Sequence, residues 1–474
     1  MREYHKFYID GKWVAPLEQK TVNTINPATE EISGSIALGG AGDVDLAVKA
    51  ARKAFATWSQ TSREERLEVL QRIMVEYEKR AGDIAAAITE EMGAPKGLAN
   101  GFQVGLGTGH LATAIEVLKN FKFEETRGAS TIVKEPIGVC GLITPWNWPV
   151  NQVTVKVFPA LATGCTVVLK ASQESHFSAQ ILAEVFDAAG VPAGVFNMIQ
   201  GKGSVVGAAM SCHPDVDMIS FTGSEPAGVA IAQAAAPTVK RVCQELGGKS
   251  ANIILDDANL AENVAGGVTG MMVNTGQTCS ATSRMLVPKA RMAEAIAAAK
   301  EAAAQVTVGD PNSDVAMGPV VSKNQFISVQ GYIQKGIDEG ATLIAGGLGR
   351  PEGLDKGFYV KPTVFANVTN DMVIAREEIF GPVLVIIAYD DIDHAIEIAN
   401  DTDFGLAGNV AGADLEQARA VARRIRAGSV GINSGFDFNS PFGGYKKSGN
   451  GREWGDYGFH EYLEIKAILG YTPE

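Results

Sequence analysis

The sequence predicts an α/β protein built on parallel sheets covered by helices on both faces. Three observations carry this. Between residues 138 and 236, short apolar segments alternate with longer segments of helical period. The short segments are apolar throughout rather than half polar, as strands buried on both faces are. A second alternating unit follows from 251 to 432, and such alternation marks βαβ construction. The 474 residues, 46% apolar and 20% charged, are too many for one small core and fit two or three domains.

Taken in order, residues 7–15 form a short hairpin with Asp10-Gly11 as its turn, and an extended stretch follows to about Leu38. Asp43 is expected to cap an alanine-rich helix from Val44 to Trp58. A second helix starts near Ser62 or Arg63, because Leu67, Leu70, Ile73, Met74 and Tyr77 recur at helical spacing. Helix is also expected over 81–92 and 102–118, and nothing in these helices singles out chemistry. Residues 121–134 alternate and predict a strand. Gly138 to Thr144 is an apolar strand that runs into Pro145-Trp146-Asn147-Trp148-Pro149. Strands 166–170, 195–199 and 216–221 then alternate with helices 176–189, 204–211 and 225–236. Ligands of such sheets sit beyond the carboxyl ends of the strands, where Asn147, Lys170, Gly201 and Thr222-Gly223-Ser224 fall. The second unit has strands at 251–255, 284–288, 383–388 and 428–432, with extended segments near 342–345 and 360–366. Its helices are expected at 259–273, 291–305, 322–338, 393–400 and 414–426. The tail from Tyr457 to Tyr471 ends extended.

Several function classes drop out. The net charge is −13 with both signs interspersed, which argues against a surface that tracks nucleic-acid phosphates. Pro136 to Val155 is uncharged, but its three prolines with Asn147, Asn151 and Gln152 argue against a membrane span. The polar start Met1 to Lys6 has no apolar signal-peptide core. Cys140, Cys165, Cys212, Cys243 and Cys279 are scattered and odd in number, which fits a reducing compartment. A cytoplasmic protein is expected. His213 beside Cys212 and the other dispersed histidines show no metal spacing.

Chemistry concentrates at Gly276-Gln277-Thr278-Cys279-Ser280, just past the apolar run Ala265 to Val273. Small, polar neighbours leave the thiol reachable. A thiol attacks only as the thiolate, and an adjacent group must help it. Glu245, in Gln244-Glu245-Leu246-Gly247-Gly248-Lys249, is an acid upstream that serves. Gly201-Lys202-Gly203-Ser204-Val205-Val206-Gly207 resembles a dinucleotide loop, although its last glycine is one residue late. Thr222-Gly223-Ser224 is a strand-to-helix turn whose helix start presents N–H groups to a phosphate. Gly248-Lys249-Ser250 imitates the end of a P-loop, but Cys243 stands where that motif needs glycine. No G-x-S-x-G elbow exists. Singly, Lys170, Glu378 and Asn147 are a strand-end lysine, a surface acid and a turn former.

Together these segments resemble the NAD(P)-dependent aldehyde dehydrogenase superfamily, of the non-acylating, hydrolytic type. The resemblance rests on the Cys279 and Glu245 motifs, Asn147 between its tryptophans, Lys170 and the Thr222-Gly223-Ser224 turn. Glu378-Ile379-Phe380-Gly381-Pro382 and Pro441-Phe442-Gly443-Gly444-Tyr445-Lys446 complete it. Order and spacing agree along nearly the whole chain. The resemblance implies a Rossmann-like parallel-sheet cofactor domain (1–118 and 138–246), an α/β catalytic domain (247–445) and a small β oligomerisation extension (119–137 and 457–474). It implies Cys279 as nucleophile, Asn147 and the Cys279 N–H as oxyanion donors, and Glu245 as base. NAD, with NADP possible, is the implied cofactor. Its site would be formed by Trp146, Lys170, Gln173, Gly203, Gly207, Gly223, Ser224, Leu246, Glu378 and Phe380. Trp148, Gln152, Val155, Thr278, Phe436 and Phe438 would line the substrate tunnel. A homodimer or homotetramer is implied.

One departure stands out: Gln173 occupies a position where many NAD-preferring members carry a glutamate that repels a 2′-phosphate. The aromatic tunnel favours a medium apolar or aromatic aldehyde over a semialdehyde. An acylating enzyme using coenzyme A, a semialdehyde dehydrogenase and a cofactor-binding protein with a dead site are the alternatives. Glu245 counts against the first, since a thiol acceptor needs no water-activating base.

Overall fold

The computed structural model describes residues 1–470; Tyr471 to Glu474, the end of the expected tail extension, lie outside them. Two seven-stranded sheets organise the chain, and each of two smaller sheets has three strands. The first large sheet runs in the order Arg241–Glu245, Met218–Thr222, Val139–Ile143, Thr166–Lys170, Phe196–Met198, Phe7–Ile9, Lys12–Val14. Its first five strands are parallel. The N-terminal hairpin adds antiparallel at one edge. Asp10 and Gly11 have φ of 52° and 71°, the left-handed pair that a tight hairpin turn requires.

The second large sheet runs Thr342–Ala345, Thr363–Ala366, Val383–Tyr389, Arg284–Pro288, Ala251–Ile254, Ala407–Ala411, Ser429–Ile432. All but the first strand are parallel. The segments singled out in the sequence use the two sheets differently. Asn147, Lys170, Gly201 and Ser224 lie at or just beyond the carboxyl ends of first-sheet strands, as expected, and Glu245 ends a further strand on the same side. Gly247-Gly248, Cys279 and Glu378 instead precede the second-sheet strands that start at Ala251, Arg284 and Val383. The carboxyl edge of one sheet thus faces the amino edge of the other.

Several elements differ from expectation. The first long helix is Ala41–Trp58, with Gly40 as N-cap. Asp43 lies inside its first turn and caps it from there, accepting the Gly40 N–H at 2.9 Å. The second helix is unbroken from Arg63 to Met92, because Ser62 and Glu65 form a reciprocal capping box and Gly93 closes it at φ 76°. Residues 121–134 do not make one strand. They turn at Gly128 into the hairpin Glu124–Arg127 and Ser130–Pro136, on which Leu463–Leu469 pairs antiparallel. The helix Leu415–Ala422 is shorter than 414–426.

The helix Pro149–Thr163 has no forecast in the sequence. All of its residues are buried, so it lacks the polar face that gives a helix its periodicity. An internal Pro159 disguises it further. Among the described residues, no helix is long and apolar enough to cross a membrane.

Candidate active site

The strand Val139–Ile143 delivers Thr144 to Trp148 into the turn before Pro149, which opens the next helix where its missing N–H costs nothing. Asn147 is therefore held at 2% exposure. Its Nδ2 donates to the Gln277 carbonyl at 3.1 Å, which ties the first sheet to the cysteine loop.

That loop follows the helix Leu260–Met272 through Asn274 and Thr275, both left-handed at φ 54° and 58°. A β-branched residue there is a real outlier, costing on the order of 1–3 kcal/mol. Surrounding bonds impose it. Asn274 Nδ2 donates to the Asn147 carbonyl at 2.8 Å, and Thr275 Oγ1 donates to the Gly318 carbonyl at 3.2 Å. Gln277 donates to the Asn274 carbonyl at 3.1 Å and accepts from Val321 N–H at 2.9 Å. A Cβ at Gly276 would strike the Gly381 carbonyl, so this glycine lets the loop touch the Phe380 turn.

Gly247 and Gly248 do similar work on the other side. A Cβ on Gly247 would overlap the Glu378 carboxylate, and one on Gly248 would overlap the Cys279 carbonyl. The Gly248 N–H donates to Glu378 Oε1 at 2.9 Å. Glu245, Cys279 and Glu378 are thereby drawn to one place by residues with no side chains.

The electrostatics follow from burial. Cys279 is half-buried, and its thiol is pushed up to about 12 by burial, then by the Glu378 and Glu245 carboxylates. Glu245 is 3% exposed, and neither of its oxygens has a hydrogen-bond partner. Burial holds its carboxyl well above the usual range; Glu453 pushes the same way and Lys156 opposes. Lys156 is fully buried, pairs with Glu453 and donates to Ser220 Oγ at 3.2 Å. Glu378 is raised to about 7 by burial, against the Gly248 N–H and Lys249.

On the expected cofactor side, Lys170 is buried with no side-chain partner among the described residues, and burial lowers it to about 8. Ser224 N-caps the helix Glu225–Ala235, yet its hydroxyl makes no capping bond. Gly223 N–H donates to the Glu245 carbonyl at 3.1 Å. The Trp146 and Phe380 rings meet edge to face at 5.4 Å, with Phe380 at φ 57°. Gly203 to Gly207 form a π turn that opens the helix Ala208–Cys212; Gly203 is exposed and Gly207 buried. Leu246 packs in the core with Phe221 and Ile231. Gln173 is half-buried, and its backbone carbonyl pairs with His176 Nδ1 at 2.6 Å.

On the expected substrate side, Trp148 Nε1 donates to Thr278 Oγ1 at 3.1 Å, beside Cys279. The rings continue outward: Phe102 lies 5.6 Å from Trp148 and 6.2 Å from Phe436. Phe436 lies 5.0 Å from Phe438 and 5.3 Å from Trp454. His110 sits edge-on to Phe438 and Trp454. Gln152 is buried with an unpartnered Oε1. Val155 lines a small cavity with Cys243, Glu245 and Glu453. The sequence reading missed Phe102, His110, Trp454, Lys156 and Glu453. Phe102 belongs to helices that showed no chemistry in the sequence, and only the fold brings it to Trp148.

The family model described as the aldehyde dehydrogenase family matches residues 13–468. The chain belongs to the aldehyde dehydrogenase family. A curated member from Pseudomonas sp., 3-succinoylsemialdehyde-pyridine dehydrogenase, is 55% identical over 99% of both chains. A mutant of aldehyde dehydrogenase C from Pseudomonas syringae, solved with NAD+ and octanal, is 54% identical with a TM-score of 0.98, covering 99% of this chain and 97% of that one. An aldehyde dehydrogenase from Mycobacterium tuberculosis, solved with NAD+, is 42% identical with a TM-score of 0.96 over 99% of both.

Proposed function

We propose that this aldehyde dehydrogenase oxidises an apolar or aromatic aldehyde to its carboxylic acid with NAD+, through a covalent adduct on Cys279. One observation carries the reading: the Asn147 amide bonds the Cys279 loop at the Gln277 carbonyl, and the buried, unpartnered Glu245 carboxyl lies close enough to raise the Cys279 thiol. Cys279 Sγ adds to the carbonyl carbon as the thiolate; its proton, which burial otherwise keeps on the sulfur, passes to water as the C–S bond forms. The new oxyanion accepts from the second Asn147 amide hydrogen and the Cys279 N–H. A thioester remains on Cys279 after oxidation. Glu245 takes a proton from water, which attacks the thioester and releases the acid. The chain's residues fit a dinucleotide. The Lys170 amine and Ser224 hydroxyl are uncommitted, and Glu378 has one oxygen free of the Gly248 bond. The bound nicotinamide supplies the acceptor of the hydride that leaves the adduct's carbon.

The ring series from Trp148 to Trp454 supports an apolar or aromatic tail. The Pseudomonas syringae neighbour holds octanal. The Pseudomonas sp. relative, named for a semialdehyde of a pyridine, favours a second reading, an aromatic semialdehyde. A panel of aldehydes, read by NADH absorbance with and without coenzyme A, tests all of this. Turnover of octanal or an aromatic aldehyde without coenzyme A is expected. Strict dependence on coenzyme A, or no turnover of any aldehyde, would overturn it.

Residues 1–118 with 138–246 are assigned to the cofactor, 247–445 to catalysis, and 119–137 with 457–474 to assembly. Supporting the last, Leu463–Leu469 is an edge strand with Ile465 and Leu469 at 72% and 80% exposure. Such an edge pairs with another chain, which supports a homodimer or homotetramer. The free cysteines support a cytoplasmic setting.

Gln173 sets the balance between cofactors. It carries no charge to repel a 2′-phosphate and adds no cation to bind one. Both cofactors are therefore accepted, with NAD preferred. Gln173→Glu is expected to depress NADP-linked kcat/KM more than NAD-linked kcat/KM. Equal effects on the two would show that this side chain does not face the ribose.

A further inference from the structure

From Lys96 to Asn120 the chain is helical, but over Ala99–Gln103 it widens into a π turn. Such turns are rare and concentrate at functional sites. This one sets two consecutive side chains on the site. Phe102 meets Trp148 at the aromatic mouth. Gln103, 1% exposed, donates from Nε2 to Asn274 Oδ1 at 3.1 Å.

The polarity of this contact is fixed. Asn274 Nδ2 donates to the carbonyls of Asn147 at 2.8 Å and Gln277 at 3.3 Å. Carbonyls only accept, so the amide cannot be turned round and Asn274 Oδ1 must meet a donor. Gln103 is that donor. The Gln277 carbonyl also takes the Asn147 side-chain amide. One chain of bonds thus runs from Gln103 through Asn274 to the backbone that frames the Asn147 amide, two residues before Cys279. Asn274 is left-handed at φ 54°, a conformation that persists only where its surroundings impose it.

We propose that Gln103 and Asn274 are positioning residues that hold the Asn147 amide in place for the oxyanion formed at Cys279. The role rests on the reaction proposed above. Gln103→Leu removes the donor. Gln103→Glu keeps the shape and can donate only while the introduced carboxyl is protonated. Rapid mixing of each variant with NAD+ and octanal reads the rate of the first NADH formed, at several pH values. NAD+ binding and the thermal midpoint are measured alongside.

Gln103→Leu is expected to slow the first NADH by about tenfold to a hundredfold, within the worth of an oxyanion donor, with NAD+ binding unchanged. Gln103→Glu is expected to approach the wild-type rate at acid pH and to fall away from it as pH rises. Wild-type rates in both variants at every pH would overturn the proposal. So would losses independent of pH that track loss of NAD+ binding, which would make Gln103 a packing residue only. A wild-type protein that forms no NADH from any aldehyde would refute the reaction itself, and this role with it.

Discussion

Cys279→Ala is expected to abolish aldehyde oxidation, by on the order of 10⁴-fold or more, while NAD+ still binds. Three segments converge on this residue: the Gly247-Gly248 turn, the Glu378 turn and the Asn147 turn. No other cysteine has such a setting. Cys140 and Cys165 are fully buried, Cys243 Sγ meets Glu461, and Cys212 lies exposed at a helix end. The thiol at residue 279 is small and half-buried, so alanine there should leave the fold intact. Fluorescence titration with NAD+ checks the binding, and NADH absorbance checks the turnover. An active Cys279→Ala protein, with activity lost on replacing one of the other four cysteines, would refute the assignment.

Glu245→Gln is expected to separate the two halves of the reaction. Asn147 and Cys279 remain, so the first half proceeds and one NADH per site appears in a burst. The amide cannot take a proton from water, so steady turnover falls by about a hundredfold or more. Wild-type turnover carries a matching pH signature. Burial holds the Glu245 carboxyl well above the usual range, and only its deprotonated form acts as base. Steady turnover should therefore rise with pH through a range above that of an ordinary carboxylate, and that rise should vanish in Glu245→Gln. Stopped-flow absorbance over a pH series measures both. Should Glu245 also take the Cys279 proton, the burst itself slows. Normal steady turnover would rule out either role.

What the sequence showed of the fold followed burial pattern. The strand Val139–Ile143, buried on both faces, is an apolar run with a polar turn after it, and was visible. The helix Pro149–Thr163 is buried all round and gave no period to detect. The π turn at Ala99–Gln103 is a matter of one hydrogen-bond offset that no residue pattern announces.

The site divides in the same way. Cys279, Glu245, Asn147 and Glu378 each lie in a short motif of glycines, prolines or aromatics whose local geometry is encoded beside them. Lys156, Glu453, Phe102 and Gln103 act across long sequence separations. Lys156 meets Glu453 only because the C-terminal segment packs on a first-sheet helix. Val155 lines a small cavity with Glu245 and Glu453, residues far from it in sequence.

The central claim is that the aldehyde's acyl group is carried on Cys279. Mass measurement of the Cys279 peptide, after acid-quenching Glu245→Gln with NAD+ and octanal at the end of its burst, tests it most directly. The expected result is one acyl group of the substrate on that peptide for each NADH formed. NADH formed with an unmodified Cys279 peptide, or with the acyl group on another residue, would contradict it.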